Sequence, residues 1–200
     1  MKRFFLATVA ALAFICIAGP ANAQEQAPSK KEQKEMKKQQ KKQQKEMKKK
    51  ISAIGSTLAF ERAAQCIRSG NFVIEASRIQ SQRGGITNVS SNTNFISVED
   101  GESVVQIAPS NHIAGPNGVG GITVDGNVSN VQVTESKNGA LIYSYSVQGI
   151  GLSATVKIQL PKGSAEASAT VYPNYSNNEV TLHGTVVAPE NSRVFKGRAL

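Results

Sequence analysis

The residues with most chemical promise lie in one glycine-rich stretch, Gly115-Pro116-Asn117-Gly118-Val119-Gly120-Gly121, with His112 just upstream. Four glycines in seven positions are what a phosphate-cradling loop needs. Such a loop, however, places its glycines between a strand and a helix, so that the first helical amides face the anion, and its triphosphate version ends in Gly-Lys-Ser or Gly-Lys-Thr. Here the glycines lead into Ile122-Thr123-Val124, an extended run, and no lysine lies between Arg83 and Lys137. The stretch therefore predicts a long connection between strands, where a ligand or another backbone can approach closely. His112, Asn117, Gly118, Gly120 and Gly121 are its candidate ligand-binding residues.

Other chemistry finds fewer parts. His112 and His183 are too few and too far apart for a metal motif, and His-Glu-x-x-His is absent. Glu99, Asp100 and Glu102 crowd one turn, where a charged, solvated hairpin tip is the simpler reading than weak Ca²⁺ binding. Gly151-Leu152-Ser153 lacks the second glycine of a nucleophile elbow. Cys66 reads as a small buried hydrophobe rather than a nucleophile. No catalytic residue, metal or cofactor is assigned. An enzyme would need residues that converge only in the fold, for instance His112 or His183 beside a carboxylate and a serine. A cleft lined by Tyr143, Tyr145, Tyr172 or Tyr175 without such a group would favour binding.

The elements that must position these residues are mostly strands. Residues 51–69 predict a helix, with Ile51, Ile54, Leu58, Ala59, Ala63, Cys66 and Ile67 at spacings of three and four and a stop at Gly70-Asn71. After Gly70 the chain turns to short runs rich in Val, Ile, Thr, Phe and Tyr. They flank Asp100-Gly101, Asp125-Gly126, Lys137-Asn138-Gly139 and Pro161-Lys162-Gly163-Ser164, turn sequences that tolerate the backbone angles of tight hairpins. Leu141, Tyr143, Tyr145 and Val147 alternate with polar partners, as do Ala154, Val156, Ile158 and Leu160, so each strand buries one face. The expected fold is mainly β (α+β). An antiparallel meander of eight to ten strands forms a β-sandwich or strongly curled sheet, with one N-terminal helix packed on it.

Charge and leader set the surroundings. Lys2 and Arg3 precede an apolar stretch from Phe4 to Ala18 and the small pattern Ala21-Asn22-Ala23, which reads as a signal peptide over residues 1–23. Residues 24–50 form a Lys/Gln-rich low-complexity spacer with eleven Lys against four Glu, and residues 51–200, a single domain, balance at ten basic and ten acidic side chains. The net charge of +9 thus belongs to the leader and spacer. The domain has no basic stripe interleaved with aromatics, so nucleic acid is not an expected partner. Without the leader Cys66 is the sole cysteine, and the mature chain has no transmembrane segment.

Ala63-Ala64, Gly70-Asn71-Phe72-Val73-Ile74-Glu75-Ala76, Asn94-Phe95-Ile96-Ser97-Val98, Val105-Gln106-Ile107, Gly118-Val119-Gly120-Gly121-Ile122 with Gly126 beyond it, and Thr181-Leu182-His183-Gly184 occur in that order. Over most of residues 60–187 the chain thereby resembles the domain-of-unknown-function 4251 family of Bacteroidota envelope proteins. The resemblance implies a small, mostly β, secreted or envelope-associated protein and assigns no activity to any residue. The expectation is an exported protein of the periplasm or cell envelope of a Gram-negative bacterium. It is a non-enzymatic domain that binds a glycan, a lipid or an envelope protein. The alternative is a structural envelope component whose basic tail grips an anionic surface.

Overall fold

The computed structural model describes residues 30–108, 121–149, 152–174 and 178–197. They belong to two compact units, Met1–Lys45 and Glu46–Leu200. One helix, α1 (Lys30–Ser69), contributes to both, so the helix expected over residues 51–69 is the second half of a longer one. Its stop is as the sequence predicts. Gly70 takes a positive φ of 73°, its N–H donates to the Ile67 carbonyl, and the Asn71 N–H reaches back to the Cys66 carbonyl. This pair of bonds is a Schellman ending, open to glycine because it lacks a Cβ.

Nine strands follow: β1 (Phe72–Ser81), β2 (Ile86–Asn88), β3 (Phe95–Glu99), β4 (Glu102–Ile107), β5 (Ile122–Glu135), β6 (Leu141–Gly149), β7 (Leu152–Leu160), β8 (Glu166–Pro173) and β9 (Val180–Val187). Every pairing is antiparallel, and neighbours follow chain order from β3 to β9. The sandwich or curled sheet that the strand pattern led us to expect does not form. β1 pairs with β3 on one side and with β9 on the other, from Val73↔Val187 to Ser81↔Val180, which closes β1 and β3–β9 into an eight-stranded barrel. Closure removes the open edges that a sandwich would leave. Short β2 lies beside β1 at Arg78–Gln80, past the end of β3.

Two turns deserve contrast. Asp100 (φ 50°) and Gly101 (φ 82°) make the two-residue hairpin between Glu99 and Glu102, as their sequence predicts. Asp125-Gly126, read as a similar turn, lies instead inside the 14-residue β5. A Cβ on Gly126 would strike the backbone carbonyl of Gln148, so this glycine serves close approach of β5 to β6 rather than a reversal.

The alternating residues of β6 and β7 turn inward and are buried. With Phe72, Ile74, Ile96, Val98, Ala169 and Leu182 they form one apolar cluster, joined by Ala63, Ala64 and Ile67 from the last turns of α1. Phe72 and Tyr143 meet edge to face at 5.4 Å, and Tyr143 meets Tyr145 at 5.7 Å. An eight-stranded barrel is just wide enough to be filled by side chains, and here the inward ones pack into one buried cluster.

A strap closes the outside. Beyond the 3₁₀ turn Pro189–Asn191, residues 192–197 run over the outer wall: Ser192 Oγ and the Arg193 N–H donate to Glu75 Oε1 on β1, and Lys196 pairs with Asp125 on β5 at 2.9 Å. Val73 and Phe95, which point away from the barrel interior, are buried on this wall.

Candidate functional site

α1 ends in small residues on one side, Ala59, Ala63 and Cys66, which let the helix sit near the strands. β9 runs out through Val186, Val187 and Ala188 into the Pro189 turn, whose proline suits the first position of a helical turn because its missing N–H would have no partner there. Between these two segments lies an open groove of about 610 Å³, within the range of small-ligand sites. Its floor is Ala59, Ala63, Ala165, Val186 and Ala188, and its rim carries Arg62, Gln65, Asn71, Glu190 and Asn191.

The charges at the rim are available. Among the described residues the ion pairs are Arg68–Glu135, Arg78–Glu166 and Lys196–Asp125, and neither Arg62 nor Glu190 takes part in one. Cys66, half-buried in the wall, is held above the usual thiol range by burial first and by the nearby Glu190 carboxylate second, against a lowering backbone hydrogen bond. Its sulfur therefore stays a thiol at neutral pH and makes a poor nucleophile. The groove can receive an apolar body and polar ends.

The residues singled out from sequence are placed differently. His112, Asn117, Gly118 and Gly120 lie outside the described residues, as does Tyr175. Gly121 is described at the start of β5, where a Cβ would collide with the Ile107 carbonyl, so the pairing of β4 with β5 explains this glycine. His183 shares a hydrogen bond with the Gln80 side-chain amide oxygen at 3.2 Å, with no carboxylate among its hydrogen-bond partners in the described residues. Tyr143 and Tyr145 sit inside the barrel and Tyr172 on its surface, so they line no common cleft. Among the described residues no three of His, Cys, Asp and Glu come together in a way that would hold a metal ion.

The groove is hard to see in the sequence because its floor is alanine and valine drawn from segments about a hundred residues apart. The signal present in the sequence is the run of small residues on α1, Ala59, Ala63 and Cys66.

The model of the family Domain of unknown function (DUF4251) matches residues 55–186. A crystal structure of a DUF4251 family protein from Bacteroides eggerthii DSM 20697 is similar, with 36% sequence identity and a TM-score of 0.62, covering 74% of this chain and 99% of that one. No curated protein matches the chain.

Proposed function

The chain belongs to the DUF4251 family, and on that premise we propose that it is an exported, non-catalytic binding domain of the cell envelope, holding a polypeptide segment of a partner in the groove beside α1. The observation that carries this reading is an apolar alanine and valine floor beside a cation and an anion, Arg62 and Glu190, at one rim, neither in an ion pair among the described residues. A peptide with a small apolar side chain between polar groups satisfies both parts, since buried apolar contact gives affinity and rim charges give orientation. The protonated Cys66 thiol favours binding over chemistry, and the buried side-chain cluster inside the barrel directs attention to its surface. Export rests on the basic, apolar and small-residue succession of residues 1–23.

The test blocks the groove and leaves the barrel alone. Ala59, half-buried at the groove wall, is replaced by Trp, and envelope proteins cross-linked to wild type and to variant in the native host are compared at matched thermal stability. Loss of a specific cross-linked partner from the variant supports the reading. An unchanged set of partners, or turnover of an envelope substrate abolished by a single side-chain replacement, overturns it.

A further inference from the structure

A second feature, carried by residues that do not line the groove, lies earlier on α1. Phe60, Ala63, Ala64 and Ile67 pack into the barrel cluster. Met47, Ile51, Ile54 and Leu58 recur at steps of four, three and four, so the 3.6-residue repeat sets them about half a turn away from that packed face. All four are exposed, by 50 to 63%. An unpartnered aliphatic stripe of this length on a helix needs a cover.

Its surroundings choose the cover. Lys48 and Lys50 flank the stripe on either side, where long side chains carry their ammonium groups up from an apolar boundary into water. Residues 30–50 hold eleven Lys against three Glu, whereas residues 51–200 are neutral in sum. A second copy, which the same spacing would also suit, brings like charge against like charge. An anionic surface does the reverse, attracting each lysine while it covers the stripe. No helix among the described residues is long and apolar enough to cross a membrane, so the contact is with a surface. We propose that the Met47–Leu58 face of α1 docks onto a bilayer carrying anionic phospholipid and lies in its headgroup boundary.

The chain as its host processes it is sedimented with vesicles of phosphatidylcholine alone and of phosphatidylcholine with one-third phosphatidylglycerol. Binding is expected to the anionic vesicles only and weakens with salt. The triple variant Ile51→Ser, Ile54→Ser, Leu58→Ser, with every lysine kept, is expected to partition about tenfold less. Because the chain has no tryptophan, Ile54→Trp adds a reporter that keeps the apolar area, and its emission is expected to shift to the blue on anionic vesicles. Three results overturn the proposal: unshifted emission, undiminished binding by the triple variant, or a vesicle-free dimer that the triple variant dissolves.

Discussion

Ser103 Oγ on β4 and Tyr145 Oη on β6 share a hydrogen bond of 2.8 Å inside the barrel, although 42 residues separate them in the chain. Both residues are buried, so each hydroxyl depends on the other. Ser103→Ala strands a buried phenol and is expected to cost about 1–3 kcal/mol. Tyr145→Phe on the same background restores part of that loss, because no unpaired hydroxyl remains. A double-mutant cycle by urea unfolding measures the coupling, and additive costs would show the two groups to be independent.

Alkaline pH should find the same residue. Burial, the largest cause, and the neighbouring Tyr143 push the Tyr145 phenol far up, against a smaller lowering by the Ser103 bond. Its folded pKa thus exceeds the unfolded value of about 10, so above that pH the unfolded chain holds fewer protons and unfolding becomes easier. The contribution is fully present below pH 10 and is lost as pH rises towards the folded value. Thermal midpoints should fall from about pH 10 upward, less steeply in Tyr145→Phe, with Tyr143, also raised by burial, accounting for part of the remainder.

One buried amide joins the strap to the barrel wall. Gln106 Nε2 donates to the carbonyls of Thr93 (3.0 Å) and Phe195 (2.8 Å), while its Oε1 accepts from Thr123 Oγ1 (2.8 Å) and the Gly197 N–H (2.7 Å). All four sites of the side chain are used. Gln106→Leu keeps the volume and removes these partners, with an expected loss of about 2–3 kcal/mol. Hydrogen exchange at Gly197 should accelerate before the barrel itself opens, and unchanged protection there would refute the role.

Two glycines should respond in opposite directions. A Cβ on Gly184 would meet the Glu75 carbonyl and the Ala76 Cα across the β1–β9 seam, beside the register shift between Ala76 and Arg78. Gly184→Ala is expected to destabilise by about 3 kcal/mol through overpacking. Gly55 lies within α1 with open space around it, and Gly55→Ala should stabilise by about 1 kcal/mol if the helix is counted in the folding equilibrium. Denaturant midpoints of the two variants decide both.

Cys66 offers a probe of the groove. Removing the Glu190 charge lowers the thiol pKa, so Glu190→Gln should alkylate faster at neutral pH, with its pH–rate profile displaced towards acid. A superimposable profile would place Glu190 too far away to matter.

Much of the architecture was legible in the residues themselves. Leu141 to Val147 and Ala154 to Leu160 alternate, and a strand with one apolar face has a single way to lie. Gly70, Asp100-Gly101 and Lys137-Asn138-Gly139 mark reversals because few residues accept positive φ. Closure was not legible. The same alternation serves a sandwich and a barrel, and the choice rests on β1 pairing with β9 a hundred residues away, at a seam that Gly184 leaves thin enough to close. Gln106 and Thr123 are polar side chains whose burial no local pattern shows, because the C-terminal strap holds Gln106 from far along the chain. The groove was hidden for a related reason, since alanines announce no chemistry and acquire meaning only when α1 and the end of β9 stand on either side of them. Local backbone preference and apolar periodicity are properties of neighbouring residues, so the sequence alone determined the helix stop and most strands and turns, Asp125-Gly126 inside β5 excepted. Which edges meet, and where a groove opens on the surface, depends on contacts between distant residues, and only the tertiary structure decided those.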